Sequence, residues 1–139
     1  MKVEHQAFHL MRRIFQQHTS NWQQLLPDLT KPQYAVLCAI AEHPGIEQVQ
    51  LMAAAVSTKA TLAELLARLE KRGLLRRVRD AADKRRRFIW LTDEGQAMLD
   101  VSQPLAFDAD QAFLKRLSAL DQQVLLRLLL QMADNKETG

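Results

Sequence analysis

Apolar residues recur every three or four positions over most of the chain, and the pattern breaks in only a few places. Phe8, Met11, Phe15, His18, Trp22 and Leu25 follow a 3-4-3-4-3 spacing, the seam along which long helices pack. Pro27 ends this first helix, because proline lacks an N–H and its ring blocks the preceding turn. Thr30 followed by Gln33 is a capping-box pattern, with Pro32 tolerated in the first turn. A second helix is therefore predicted from Lys31 to Glu42, stopping ahead of Pro44-Gly45. A short third helix is expected over Glu47 to Ala55.

The fourth helix carries the most information. Ser57 or Thr58 caps it, and Leu62, Leu65, Leu66 and Leu69 repeat at i, i+3, i+4 and i+7 to form a buried stripe. Gly73 closes it as a C-terminal cap. The opposite face holds Ala60, Ala63, Glu64, Ala67, Arg68 and Lys71. Alanines there let the backbone approach a surface closely, and Ser57, Thr58, Lys59 and Thr61 at the N-terminus suit phosphates and base edges. A short helix, a tight turn and a second helix with such a face make a helix-turn-helix.

After Gly73 the period changes. Leu75 to Arg79 and Arg87 to Leu91 read as two strands around an Asp-Ala-Ala-Asp turn, a hairpin or wing. Thr92 caps a fifth helix, expected to bend at Pro104, and Ser118 with Asp121 starts a sixth. In that last helix Val124, Leu125, Leu126, Leu128, Leu129, Leu130 and Met132 cover nearly every direction. A terminal helix apolar all round does not sit on a monomer surface, so it is expected to be buried with the first helix in a homodimer. The fold class is mainly α with a small β-hairpin wing. We read residues 1–139 as one domain, with a winged helix-turn-helix lobe over 30–92 and a helical dimerisation region over 1–27 and 93–139.

Composition narrows the setting. A hydrophobic fraction of 47% over 139 residues excludes a disordered chain. No apolar run reaches the length of a membrane span, and His5, His9, Arg12 and Arg13 interrupt the place of a signal peptide. A cytoplasmic protein with no membrane partner is expected. Cys38 is the single cysteine, which excludes an intramolecular disulfide, leaves a thiol bond between subunits open, and is read as a buried structural residue. His5 and His9 share an i, i+4 spacing, but no cysteine or carboxylate set completes a metal site. No glycine-rich phosphate loop, catalytic carboxylate pair or nucleophile arrangement appears. Neither an enzyme nor a cofactor is expected.

Charge is concentrated on the hairpin. From Arg68 to Arg87 there are ten Lys or Arg and three Asp or Glu, a local charge of +7 in a chain whose total is +3. That asymmetry is a footprint for a polyanion, the alternative being a solvated charged face.

In order and combination, several segments resemble the MarR family of winged helix-turn-helix transcription regulators. They are Thr61-Leu62, Leu69-Glu70-Lys71-Arg72-Gly73-Leu74, Arg76-Arg77, Asp80, Asp83-Lys84-Arg85, Leu91-Thr92 and Glu94-Gly95. The stretches from Leu26 to Val36 and from Val56 to Glu64 are similar to the HosA-type subgroup, which is associated with operons handling hydroxylated aromatic acids. The resemblance covers essentially the whole chain. It implies that Ser57, Thr58, Lys59, Thr61, Glu64 and Arg68 enter a major groove. In the wing it implies that Asp83 braces Arg85 for a minor groove, and that narrow, negatively charged groove suits arginine. Glu64 departs from many relatives: it either accepts from a base edge or pairs with Arg68. Lys84, Arg86 and Arg87 are read as phosphate contacts, or one of the last two as an internal ion pair.

The resemblance further implies a small-molecule pocket between the dimer helices and the lobe. Arg13 is the expected clamp for a carboxylate, with His9, Trp22 and Tyr34 as further candidates; a salt bridge for Arg13 and core packing for the aromatics are the alternatives. The function expected is a sequence-specific dimeric repressor that binds a near-palindromic double-stranded operator and is released by a hydroxybenzoate-like phenolic or aromatic carboxylate. The alternatives are an architectural DNA-binding protein without ligand response and a winged-helix protein-interaction module.

Overall fold

The computed structural model describes residues 1–134. The part of the expected dimerisation region at 135–139 lies outside the described residues. Among the described residues, six α-helices and three strands follow in the order α1 Ala7–Leu25, α2 Lys31–Glu42, β1 Ile46–Glu47, α3 Met52–Ala55, α4 Lys59–Lys71, β2 Leu75–Arg79, β3 Arg87–Leu91, α5 Asp93–Leu114 and α6 Ala119–Asp134.

Local chemistry sets most boundaries. The Thr30 side chain accepts from the Gln33 amide at 3.2 Å while Gln33 accepts from the Thr30 amide at 3.0 Å, so both orphan donors at the start of α2 are satisfied. Thr58, Thr92 and Ser118 each accept from an amide three residues on, and so fix the starts of α4, α5 and α6. Gly73 adopts a φ of +76° just past the end of α4, a conformation in which a side chain is strained. Val56, with a φ of 50°, makes the left-handed turn between α3 and α4 despite its branched side chain.

One expectation is corrected. The segment expected as a helix from Glu47 is a strand at Ile46–Glu47, then a 3-10 turn over Gln48–Leu51, and α-helical only from Met52. Ile46 and Glu47 are drawn into an edge strand opposite Ile89 and Phe88, so the wing is three-stranded, ordered β1-β3-β2 and antiparallel throughout. Helix α5 runs on through Pro104, where a bend is expected; the missing N–H deprives only the Asp100 carbonyl of its helical partner.

The main core lies inside the lobe. Leu37 and Ile40 of α2, Leu62, Leu66 and Leu69 of α4, and Ile89 of β3 are all buried in one cluster, which Leu99 of α5 joins. Each such side chain contributes about 1.5–3 kcal/mol of burial. Leu65, expected in the same stripe, is half-buried. Cys38 is half-buried too, packed against this cluster rather than enclosed by it. A smaller cluster of Trp22, Leu26, Ala106 and Ala109 joins α1 to α5.

At the junction of lobe and α5, the Thr92 amide donates to the Leu74 carbonyl at 3.2 Å, and Gly95 passes so close to that carbonyl that a Cβ would stand 1.9 Å from its oxygen. No residue of α6 is buried. On α1, Phe8 and Phe15 of the predicted seam are also exposed.

Candidate nucleic-acid interface and effector site

On α4, stripe and face separate as the spacing predicts. Leu62, Leu66 and Leu69 are buried, and Lys59, Ala60, Thr61, Glu64, Ala67, Arg68 and Lys71 are exposed. Thr58 has a local job: its hydroxyl accepts from the Thr61 amide and donates to the Thr61 hydroxyl at 3.1 Å. Ser57 is half-buried with its hydroxyl unpartnered. Among the described residues, no ion pair joins Glu64 to Arg68; both line an open groove with Thr61. The alternative in which Glu64 is neutralised along its own helix therefore does not describe this arrangement.

The wing arginines divide by partner. Arg85 receives the Asp83 carboxylate on three donors: its amide at 3.0 Å, Nε at 3.1 Å and Nη2 at 3.4 Å. Its side chain is nevertheless 90% exposed, so the brace orients the guanidinium without covering it. Those same donors hold the Asp83 carboxyl below the usual carboxylate range. Arg86 turns inward and donates to both oxygens of Glu47, at 3.0 and 3.3 Å. It is thus the internal ion pair that the sequence left open between Arg86 and Arg87. Arg87 is half-buried at the start of β3, and Lys84 is exposed. Lys59, Lys84, Arg85 and Arg87 border one cleft of about 260 Å³ between wing and α4, with Glu47 and Gln48 on its wall.

A further arginine of the basic segment is also committed to the fold. Arg77 donates to Glu70 from Nε at 3.2 Å, Nη2 at 2.9 Å and its amide at 3.2 Å, tying β2 to the end of α4. The pair lowers the Glu70 pKa, mainly through the Arg77 side-chain hydrogen bonds. Arg77 thus belongs to the charge counted from Arg68 to Arg87 but not to its open part, and its partner Glu70, like Glu47, carries no sequence signal of such a role.

The four residues expected around an effector do not converge. Arg13 and His9 face a surface groove with Arg12, Phe15 and Gln16. Trp22 is buried, donates from Nε1 to the Leu29 carbonyl at 2.7 Å, and meets the edge of Tyr34 with ring centroids 5.3 Å apart. Nine positions separate Arg13 from Trp22, and at 3.6 residues per turn this puts them on opposite sides of α1. Trp22 and Tyr34 are packing residues here. Burial, with Cys38 nearby, pushes the Tyr34 phenol up to about 12.

Around that aromatic pair the structure gathers polar groups that the sequence did not single out. His18 Nε2 and Asp110 Oδ1 lie 2.6 Å apart. Because a carboxylate only accepts, the proton sits on Nε2, and Nδ1 is left buried without a partner. Lys31 donates to the Thr19 hydroxyl at 2.9 Å; burial lowers its pKa, opposed by Asp110. An apolar groove between α1 and α2 runs past Trp22, Leu26, Leu29 and Lys31, and meets the Arg13 groove only at Thr19.

His5 lies in a 3-10 turn separate from α1, so its spacing to His9 is not that of one helix. Among the described residues no group of three or more His, Cys, Asp or Glu is placed to hold a metal ion, and no helix is long and apolar enough to cross a membrane.

An open helix face beside a basic three-stranded wing defines a winged helix-turn-helix transcription regulator. The MarR family matches residues 29–86. Transcriptional regulator HosA of Escherichia coli O127:H6 is 60% identical over 132 residues, covering 95% of this chain and 98% of that protein. Among solved structures, the chain is similar to the PcaV transcriptional regulator of Streptomyces coelicolor in complex with its natural ligand, with 36% identity, a TM-score of 0.89 and 96% of both chains covered. It is also similar to Bordetella bronchiseptica BpsR, solved to explain regulation of DNA binding by 6-hydroxynicotinic acid, with 31% identity, a TM-score of 0.89 and 96% and 97% of the two chains covered. The chain belongs to the MarR family; it is a transcription regulator and not an enzyme.

Proposed function

We propose that the protein is a cytoplasmic homodimer that binds a near-palindromic operator and represses transcription until a small aromatic acid releases it. The observation that carries this reading is that two surfaces of different chemistry flank one cleft. They are the start of α4 at Lys59 and the wing tip with its braced, open Arg85, while Thr61, Glu64 and Arg68 of α4 line an open groove of their own. Thr61, Glu64 and Arg68 would choose the sequence in a major groove, Arg85 would probe the minor groove, and Ser57, Lys59, Lys84 and Arg87 would hold phosphates. Dimerisation through the uncovered apolar residues of α1 and α6 places two such lobes about a twofold axis, as a palindrome requires. In this reading, 30–92 is the reading lobe and the flanking helices form the dimer region.

The effector reading draws support from the ligand-bound relatives and from the junction of α1, α2 and α5. There Lys31 offers an ammonium to a carboxylate, His18 Nδ1 an unpartnered ring nitrogen to a hydroxyl, and the groove past Trp22, Leu26 and Leu29 an apolar wall. Arg13 serves as a clamp if the effector extends across Thr19 into the neighbouring groove. Release requires the effector to favour a lobe spacing that mismatches the DNA repeat. Gel-shift binding to DNA upstream of the protein's own gene, with and without a panel of hydroxybenzoates, tests both halves. Arg13→Ala should spare DNA binding and abolish release. Normal release in that variant together with its loss in Lys31→Ala would move the clamp to the α1–α2 groove. Equal affinity for unrelated DNA would favour an architectural role.

A further inference from the structure

We propose that Arg86 serves DNA binding as a positioning residue that, through Glu47, fixes the wing tip relative to α4, and that it does not contact phosphate. This rests on the DNA-binding reading above. Arg86 is held from several sides. Its Nε and Nη2 donate to the two oxygens of Glu47 at 3.0 and 3.3 Å, Nη1 lies 3.8 Å from Asp80, and the guanidinium stands 5.2 Å from the centroid of the Phe88 ring. Its backbone closes the tip as well: the Arg86 amide donates to the Asp83 carbonyl at 3.0 Å, and the Asp80 amide donates to the Arg86 carbonyl at 3.1 Å.

Glu47 is the residue that gives this clamp its reach. It ends β1, pairs in register with Phe88, and leads directly into the Gln48–Leu51 turn and α3. A two-pronged arginine-to-carboxylate contact has a fixed geometry as well as a charge, so it sets where the tip stands relative to the helix-turn-helix. The pair is partly exposed, with side-chain exposures of 48% and 26%, and therefore adds little to stability. Its consequence is orientation.

Glu47 also borders the cleft lined by Lys59, Lys84, Arg85 and Arg87. A carboxylate freed there would attract those cations, Arg85 among them, and repel an incoming phosphate. Arg86 keeps it engaged, and the carboxylate in turn raises the Arg86 pKa.

The test uses full-length Glu47→Gln, Arg86→Gln and the double variant, titrated onto DNA upstream of the protein's own gene at several salt concentrations. A positioning pair predicts that each single variant weakens binding by about fivefold, that the double is no weaker than the worse single, and that all keep the wild-type salt slope. The sign for Glu47→Gln is decisive, because removing an acid near DNA should by charge alone strengthen binding. Tighter or unchanged binding by Glu47→Gln overturns the proposal. So does a salt slope shallower by about one in Arg86→Gln, the mark of a lost phosphate contact. Amide hydrogen exchange on the free protein reads the clamp without DNA: both single variants should speed exchange across Asp80 to Arg86, and unchanged exchange in either overturns it. If exchange responds as expected but the wild-type chain binds no DNA, the functional reading fails and the clamp alone stands.

Discussion

The lobe from α2 to β3 and the helices that flank it are built from equally apolar sequence but end in different states. In the lobe the leucines of α4 are closed off by α2 and the sheet, and Leu37, Leu66 and Leu69 have no exposed surface. In α6, Leu126, Leu128, Leu129 and Leu130 all remain exposed, as do Phe8, Ile14 and Phe15 on α1. Large apolar side chains left open together in this way are what an interface covers. In the proposed reading, the lobe holds its DNA-binding surface within one chain, whereas the flanking helices reach their stable state with a second copy.

This contrast can be broken most severely from inside the lobe. Leu66→Ala should cost about 4 kcal/mol, the usual range for a fully buried leucine whose cavity cannot collapse, and chemical denaturation should show the loss at every protein concentration. Next is the joint between the regions. Gly95→Ala places a Cβ against the Leu74 carbonyl and should cost about 3 kcal/mol by forcing α5 away from the lobe; a variant as stable as wild type would mean that the junction is loose. In the flanking helices the effect should be on association instead. Leu126→Glu with Leu130→Glu should dissociate the dimer, seen by analytical ultracentrifugation, and leave the lobe folded. A smaller effect is expected at Glu70. Its pKa is depressed by Arg77, so the pair stabilises above the ordinary value of 4.5 and is lost as pH falls below it. Glu70→Gln should be about 1 kcal/mol less stable at neutral pH, with the gap closing in acid; the figure allows for the pair's partial exposure.

The two regions also differed in how much their sequence disclosed. Capping chemistry and periodicity placed α2 from Lys31 to Glu42 and the strands Leu75–Arg79 and Arg87–Leu91 at the bounds observed. Strand β1 escaped because two residues carry no period, and Ile46 becomes a strand only through Ile89, far along the chain. The ion pairs Glu70–Arg77 and Glu47–Arg86 escaped for a related reason: a contact between separate elements leaves no spacing signature. Counting charges therefore overstated the open basic tip by including two arginines that hold the fold. The Asp83–Arg85 contact was legible only through the resemblance to the family's wing pattern, and the structure forms it. The effector residues were grouped too simply, since helical phase alone separates Arg13 from Trp22. The polar set around His18 needed α1, α2 and α5 to be assembled before it could be recognised.

The most direct test of the account is a fluorescence anisotropy titration of wild type and Arg85→Ala on DNA upstream of the protein's own gene, with competitor DNA and a salt series. The account predicts specific binding by wild type, a loss of about tenfold or more in Arg85→Ala, and a shallower salt dependence in the variant. Equal affinity and equal salt dependence for the two proteins would contradict it.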